Sequence, residues 1–599
     1  MTATDDLDLT AASVAWDLDP LVAGEGQVGV DRLLRRAGAL VHELEQWRGR
    51  IAELDASGLA SAMTTLAEIE DALGRAGSWV SLRFAVDTGD PSRGAAMQKF
   101  QEQATELATR MLFLELEWAE VPESRAMELL DDEALAFCRH HLESARRYRP
   151  HLLTEAEERI LAEKDITSSS AWSRLFDELT SAIVVELPDG PTSLEQGLSR
   201  LASPDREERR LAAEAVTVAL QPGLRTRAYV FNTLMADKST DDRLRSYPSW
   251  IASRNLSNQA SDASVQALVD AVVDRYDIPQ RWYRLKARLL GLDRLADFDR
   301  NASIAAVEEE FTWSQATGIV LDSYGSFSPE LADIVRTFID DHWIDAPVRP
   351  GKRPGAFCAY TVPSVHPFLL LNWTSRRRDV LTLAHELGHG LHAYLARGQG
   401  VFHQSTPLTL AETASVFGET VTFGRLLDET HDPDARLALL AESLEGQIAT
   451  VFRQVAMNRF ENAVHSHRRE IGELSTEDFA DAWEATQRAM LGDGVDITPG
   501  YRSWWSYIPH FIGSPGYVYA YAYGQLLALA VYARYEVEGE AFVPAYLELL
   551  RAGGSRSPEE LGRIVGVDLA DPRFWDGGLA IIDGQLEAAE AAARDAGRL

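Results

Sequence analysis

The segment TLAHELGHGLHAYLA (382–396) constrains this chain more than any other. Val380, Leu381, Ala384, Leu387, Gly388 and Leu391 recur at helical spacing, so the stretch reads as a packed amphipathic helix. On such a helix His385 and His389, four residues apart, share one face, and their imidazoles can meet at a single metal ion. Glu386 stands one step, about 100°, round the axis, near enough to reach a water on that metal without displacing a ligand. A catalytic zinc takes three protein ligands and leaves one position for water, whose pKa falls toward ~7. The residues therefore imply water activation with Glu386 as general base and attack on a carbonyl. Two satisfied core histidines are the alternative, and the apolar frame around the motif favours the metal.

A third ligand has to come from elsewhere in the chain. A metzincin would place a histidine ten residues after the first, and that position is Leu395. His392 faces nearly the same way as the other two but lies two turns from His385, which suits a cleft-lining or structural residue. Glu412, in LAETASVFGE (410–419), is the better candidate, on a second helix able to lie beside the first. Glu419, two turns further on, can orient a ligand histidine from behind.

A third cluster, YRSWWSYIPHFIGSPGYVYAYAYGQLLALA (501–530), holds one histidine, His510, and six tyrosines around a Gly/Pro turn. Hydrolysis of an amide needs donors aimed at a tetrahedral oxyanion, and an imidazole with tyrosine hydroxyls meets that need. The flexible turn suits a loop that closes on substrate. An aromatic core is the plainer reading of such a run.

Length and charge narrow the setting. The 599 residues suffice for two or more domains. Lys and Arg total 58 against 92 Asp and Glu, a net charge of −34, which repels phosphate backbones and anionic lipid and so argues against nucleic acid and membrane partners. Two cysteines, Cys138 and Cys358, make no disulfide framework and point to a reducing compartment. The start, MTATDDLDLT, is acidic where a signal sequence is basic, and no apolar run approaches the ~20 residues of a membrane span. A cytoplasmic protein is expected.

Along the chain, amphipathic helices are expected over 31–47 and 95–120, separated by the turn cluster DTGDPSRG (87–94). SAIVVEL (181–187) reads as a short strand, with a soft boundary in 188–210, so that residues 1–195 form a helical N-terminal domain and 196–599 a catalytic domain. GAFCAYTVPSVHPFLLLNWTS (355–375) reads as an edge strand or hairpin before the histidine helix.

The motifs GAFCAY (355–360), DVLTLAHELGHGLHAYLA (379–396), ETASVFGE (412–419) and IPHFIGSPGYVYAYAYG (508–524) together resemble the oligoendopeptidase F branch of the thimet oligopeptidase-like zinc metallopeptidases. RPHLLTEAEERILAEKDITSSSAWSRLFDEL (149–179) is similar to that family's N-terminal domain, best matched over about 115–185. The resemblance implies a mostly α fold with a zincin-like catalytic domain, a small β-sheet, and two helical lobes around a deep substrate channel. It implies one zinc per chain on His385, His389 and Glu412, with Glu386 as base, and cleavage of internal bonds of short peptides in the cytoplasm. His510 and a tyrosine would stabilise the oxyanion. Thimet-type members carry tyrosines nine and twelve residues after this histidine; nine gives Tyr519 here but twelve gives Ala522, leaving Tyr517 or Tyr523 for the second place. PFLLLNW (367–373) would offer an edge strand to an extended peptide.

Two rivals share parts of this pattern. A zinc carboxypeptidase would need a cation for the substrate's terminal carboxylate, for which Arg376, Arg377, Arg378 and Arg502 are available. A non-catalytic peptide binder would be expected to have lost Glu386 or a histidine, and all three are present. Monomer and homodimer are both compatible with the sequence.

Overall fold

The computed structural model describes residues 11–165, 167–304, 310–569, 571 and 573–599, without the side chains of residues 162 and 163. The acidic N-terminal decapeptide, read above against a signal sequence, lies outside the described residues. By proximity of their backbones the described residues form two compact units, each assembled from three stretches of chain. One comprises Met1–Arg149, Glu308–Leu426 and Arg534–Asp568; the other comprises Pro150–Val307, Leu427–Ala533 and Leu569–Leu599.

Periodic apolar residues build the first unit's helices. Gln27–Leu44 buries Val30, Leu33, Ala37, Val41 and Leu44, the three- and four-residue rhythm seen in the sequence. Ala56–Ala85 starts at Asp55, whose carboxylate accepts the Gly58 N–H at 2.8 Å. Pro91–Glu120 starts at Asp90, which accepts from the Ser92 N–H, with Pro91 at the first helical position where its missing N–H costs nothing. Residues 86–90 separate two thirty-residue helices, so that only the first half of the turn expected at 87–94 is a turn, and Pro91–Gly94 already belong to the second helix. Their apolar faces meet around Leu33, Ile69, Ala76, Leu107, Phe113 and Trp118.

The same unit holds a three-stranded sheet of β1 (Ile344–Pro347), β2 (Phe357–Ala359) and β3 (Phe368–Trp373). β3 lies in the middle, parallel to β1 and antiparallel to β2, with Cys358 opposite Leu369. The expectation that 367–373 is an edge strand is therefore corrected: β3 is central, and β1 and β2 are the edges. The unbroken run Phe368–Leu371 is buried along its length, the pattern of a strand covered on both faces, where an exposed edge would alternate. Against β2 and β3 packs α1 (Arg377–Ala396), the histidine helix. Its first turn is capped by Asp379, whose Oδ2 accepts the Thr374 N–H and hydroxyl and the Arg376 N–H. After a short turn Leu408–Ala411, α2 (Thr413–Glu429) runs beside α1.

In the second unit the strand expected at 181–187 is Val184–Leu187, paired antiparallel with Gly190–Ser193 through the PDGP turn. The stretch 188–210 is folded, containing that return strand and the helix Leu194–Ser199 capped by the Ser193 side chain. The core is aromatic: Phe231 stacks on Phe479 with ring centres 5.2 Å apart, and Phe460 meets Phe511 at 5.0 Å. Phe460 belongs to α3 (Gln454–Glu470), and the chain later enters α4 (Tyr519–Glu538). The fold is thus mostly α with few small sheets, as expected. No helix among the described residues is long and apolar enough to cross a membrane. Cys138 and Cys358 are both unpaired.

Candidate metal centre and a histidine–tyrosine pair

The histidine helix and α2 can approach because Gly388 has no side chain. A Cβ there would lie 2.5 Å from the Cα of Ser415, too close for any other residue without moving α2. This contact brings Glu412, at the entry to α2, to the two histidines. Glu412 Oε2 lies 3.3 Å from His385 Nε2 and 3.4 Å from His389 Nε2. The three donors all fall within 4.8 Å of one another. Ligands held ~2.1 Å from a tetrahedral cation stand about 3.4 Å apart, so the donors fit zinc or a similar divalent ion. The Ser415 hydroxyl donates to Glu412 Oε2 at 2.6 Å and steadies the carboxylate.

The other nitrogen of His385, Nδ1, lies 3.1 Å from Glu419 Oε2, the arrangement anticipated for Glu419. Burial alone would push the His385 imidazole down, but the Glu412 and Glu419 carboxylates override it and raise it well above its ordinary range. Burial would raise Glu412, and the two imidazoles hold it well below the usual carboxylate value. Such opposed shifts mark a closely coupled cluster.

Glu386 is 7% exposed, and its Oε2 has no hydrogen-bond partner among the described residues. Burial raises its carboxyl above the ordinary value, against the lowering pull of His385 and His389. It shares a pocket of about 480 Å³ with Cys358, Tyr360, Thr406 and the three donors. His392, as expected, stays out of the donor set. Both its ring nitrogens are buried, and burial drives its pKa down to about 3.

In the second unit, His510 opens the short helix His510–Gly513, beside Phe511 in the aromatic core. Its Nε2 is hydrogen-bonded to the Tyr521 hydroxyl at 3.1 Å. Tyr517 lies alongside, its ring 13° from parallel to the imidazole and 6.2 Å away centre to centre. Burial, then the Arg453 charge, lowers the His510 pKa below its ordinary value and so favours the neutral imidazole.

Tyr519, carried over by the nine-residue spacing, does not join this pair. Its ring is fully buried, and its hydroxyl accepts from Asn258 Nδ2 at 2.9 Å. Tyr523 is turned inward too, its hydroxyl paired with Ser264 at 2.7 Å. Sequence reasoning missed Tyr521, although a signal was present. Within α4, Tyr519 and Tyr523 are four residues apart on one side, while Tyr521, two residues from each, faces the other.

The family model of peptidase family M3 matches residues 200–581, and that of oligopeptidase F matches residues 117–184. The chain is 27% identical over 565 residues to oligopeptidase PepF of Bacillus subtilis, covering 92% of this chain and 83% of the relative. It is 26% identical over 540 residues to group B oligopeptidase PepB of Streptococcus agalactiae, covering 88% and 89%. Among solved structures, a Chlamydophila abortus protein superposes with TM-score 0.85 at 23% identity, over 96% of this chain and 98% of that one. Oligoendopeptidase F of Enterococcus faecium superposes with TM-score 0.72 at 21% identity, over 95% and 100%.

Proposed function

Because this chain belongs to peptidase family M3, within its oligoendopeptidase F group, we propose that it is a zinc-dependent endopeptidase of short peptides with Glu386 as its general base. Membership makes it a metallopeptidase, a hydrolase of peptides. The cation, the cutting of internal bonds and the residue roles are the proposal. One observation carries it: a buried carboxylate oxygen of Glu386 without a partner, beside a His–His–Glu set spaced for a tetrahedral cation.

His385, His389 and Glu412 would hold the zinc, one ion per chain. Bound there, zinc supplies Lewis acidity, acidifying water and polarising a carbonyl. Glu386 takes the proton of the attacking water at Oε2 and returns it to the leaving amine, a task suited to a carboxyl whose pKa is raised toward neutrality. The outer edge of β2, in the pocket wall through Phe357 and Cys358, pairs with no other strand among the described residues and would accept an extended peptide backbone. As the resemblance implies for His510, the imidazole and the hydroxyl of its partner Tyr521 would serve as hydrogen-bond donors to the oxyanion. Two unpaired cysteines accord with a cytoplasmic setting.

The carboxypeptidase reading loses support at Arg502, whose guanidinium is already bonded to Glu477, Asp481 and Glu484. The test is hydrolysis of an internally quenched peptide of roughly ten residues, blocked at both ends, before and after chelation and zinc readdition. Internal cleavage lost on chelation and restored by zinc is expected. Cleavage that needs a free C-terminus, or survives full metal removal, would overturn the proposal.

A further inference from the structure

The turn 512–516 joins the helix His510–Gly513 to the segment leading into α4, so it sets where His510 stands against Tyr521. Its internal bonds are local: Ser514 N–H donates to the His510 carbonyl and Tyr517 N–H to the Ser514 carbonyl. On one side lies a cavity of about 500 Å³ lined by Phe231, Met235, His465, Phe511, Ile512 and Pro515. On that side packing does not close around the turn, and bonds to neighbouring helices help to hold it.

Glu461, on α3, makes one of them. Its Oε1 accepts the Gly516 N–H at 2.8 Å, while Oε2 is buried with no hydrogen bond among the described residues. Arg254 makes another, Nε donating to the Pro515 carbonyl at 3.3 Å, with its guanidinium 5.9 Å from the Tyr517 ring centre. Gly516 has φ +74°, and a Cβ there would lie 3.3 Å from Trp250 Cζ3. Trp250 is itself stacked 4.5 Å from His465, one helical turn beyond Glu461.

A fully buried carboxyl with one hydrogen bond is a poor stabiliser, since a same-sized apolar side chain would avoid its desolvation. Burial pushes this carboxyl up to about 8, against the lowering effects of the Gly516 N–H, Arg254 and Lys238. Core stability gives no reason for an acid here. The single bond it makes, to the turn carrying the His510–Tyr521 pair, does. We propose that Glu461 is a positioning residue of the hydrolytic reaction, holding the turn through the Gly516 N–H so that His510 and Tyr521 keep their mutual geometry. This rests on the reading of that pair as oxyanion donors.

The test uses the full zinc-loaded chain. Glu461→Met fills the same volume without an acceptor, Glu461→Gln keeps an acceptor, and Arg254→Met removes the adjacent tether. Glu461→Met is expected to lower kcat about ten- to a hundred-fold with KM within about two-fold, and Glu461→Gln to restore most of it. Amide exchange over 511–518 should accelerate in Glu461→Met and Arg254→Met, a readout independent of turnover. Added to Tyr521→Phe, Glu461→Met should cost little more, because both act on one pair. An unchanged kcat in Glu461→Met, or full additivity with Tyr521→Phe, would overturn the proposal. Full activity of Tyr521→Phe would instead remove the reading of the pair, while the exchange data still report whether Glu461 holds the turn. Should Glu461→Met fail to fold, Arg254→Met decides by the same two readouts.

Discussion

His385 Nδ1 and Glu419 Oε2 lie 3.1 Å apart, on the side of the imidazole opposite Glu412. The carboxylate orients the ring and leaves Nε2 facing Glu412, where it would serve as the ligand atom. Glu419→Ala should therefore weaken metal binding by about 10- to 100-fold with the fold intact. Competition with a chelator of known affinity measures this, and unchanged affinity would remove Glu419 from its role.

Glu386→Gln replaces the buried carboxylate with an amide of the same shape. Metal content should remain one ion per chain, while kcat falls about 10²–10⁴-fold. Metal analysis beside steady-state kinetics separates the two effects, and retained turnover would rule out Glu386 as base.

Gly388→Ala places a Cβ against the backbone of Ala414 and Ser415. Overpacking of this kind costs about 1–3 kcal/mol. Because the displaced segment carries Glu412, a lower thermal midpoint should come with weaker metal affinity. A lower midpoint with unchanged affinity would mean that Glu412 does not depend on this helix contact.

Tyr521→Phe and Tyr519→Phe differ by one hydroxyl each, in different surroundings. The first removes the partner of His510 and should lower kcat. The second removes the buried hydrogen bond from Asn258 Nδ2, a loss of about 0.5–1.5 kcal/mol in stability. Comparing kcat and denaturation midpoints of both variants checks the assignment; equal kcat losses would return Tyr519 to the reaction.

Burial, followed by the charges of His140 and His141, lowers the His403 pKa to about 4; burial, followed by Lys238 and Arg469, lowers that of His465 to about 3. Between those values and 6.5 the unfolded chain binds more protons than the folded one, so stability rises with pH across this window and is lost on acidification. His403 Nε2 also accepts the His141 N–H at 3.1 Å, a bond that protonation breaks. Thermal midpoints from pH 7 to pH 4 should fall, and less steeply in His403→Gln. A flat profile would contradict the buried neutral state.

The helix at 377–396, its two histidines, the neighbouring glutamates and the helical character of the chain were legible because each is a local matter. A 3.6-residue period decides which side chains share a face, whatever the helix later packs against. The same period, applied from Tyr519 onward, separates Tyr521 from Tyr519 and Tyr523, whereas a spacing carried from relatives does not. The place of β3 within its sheet was not legible, because strand order depends on β1, more than twenty residues upstream. Neither was the make-up of the two units, each drawn from three separated stretches, since a linear reading cannot tell which distant stretches pack together. The role of Glu461 was equally hidden. In sequence it is one acid on a helix, and only long-range packing puts its carboxyl 2.8 Å from the amide of Gly516, fifty-five residues away. Local periodicity thus picks out the residues of the histidine helix and its neighbouring glutamates. Tertiary structure decided which of them meet, because contacts between distant segments follow from how apolar faces are buried together and not from any local period.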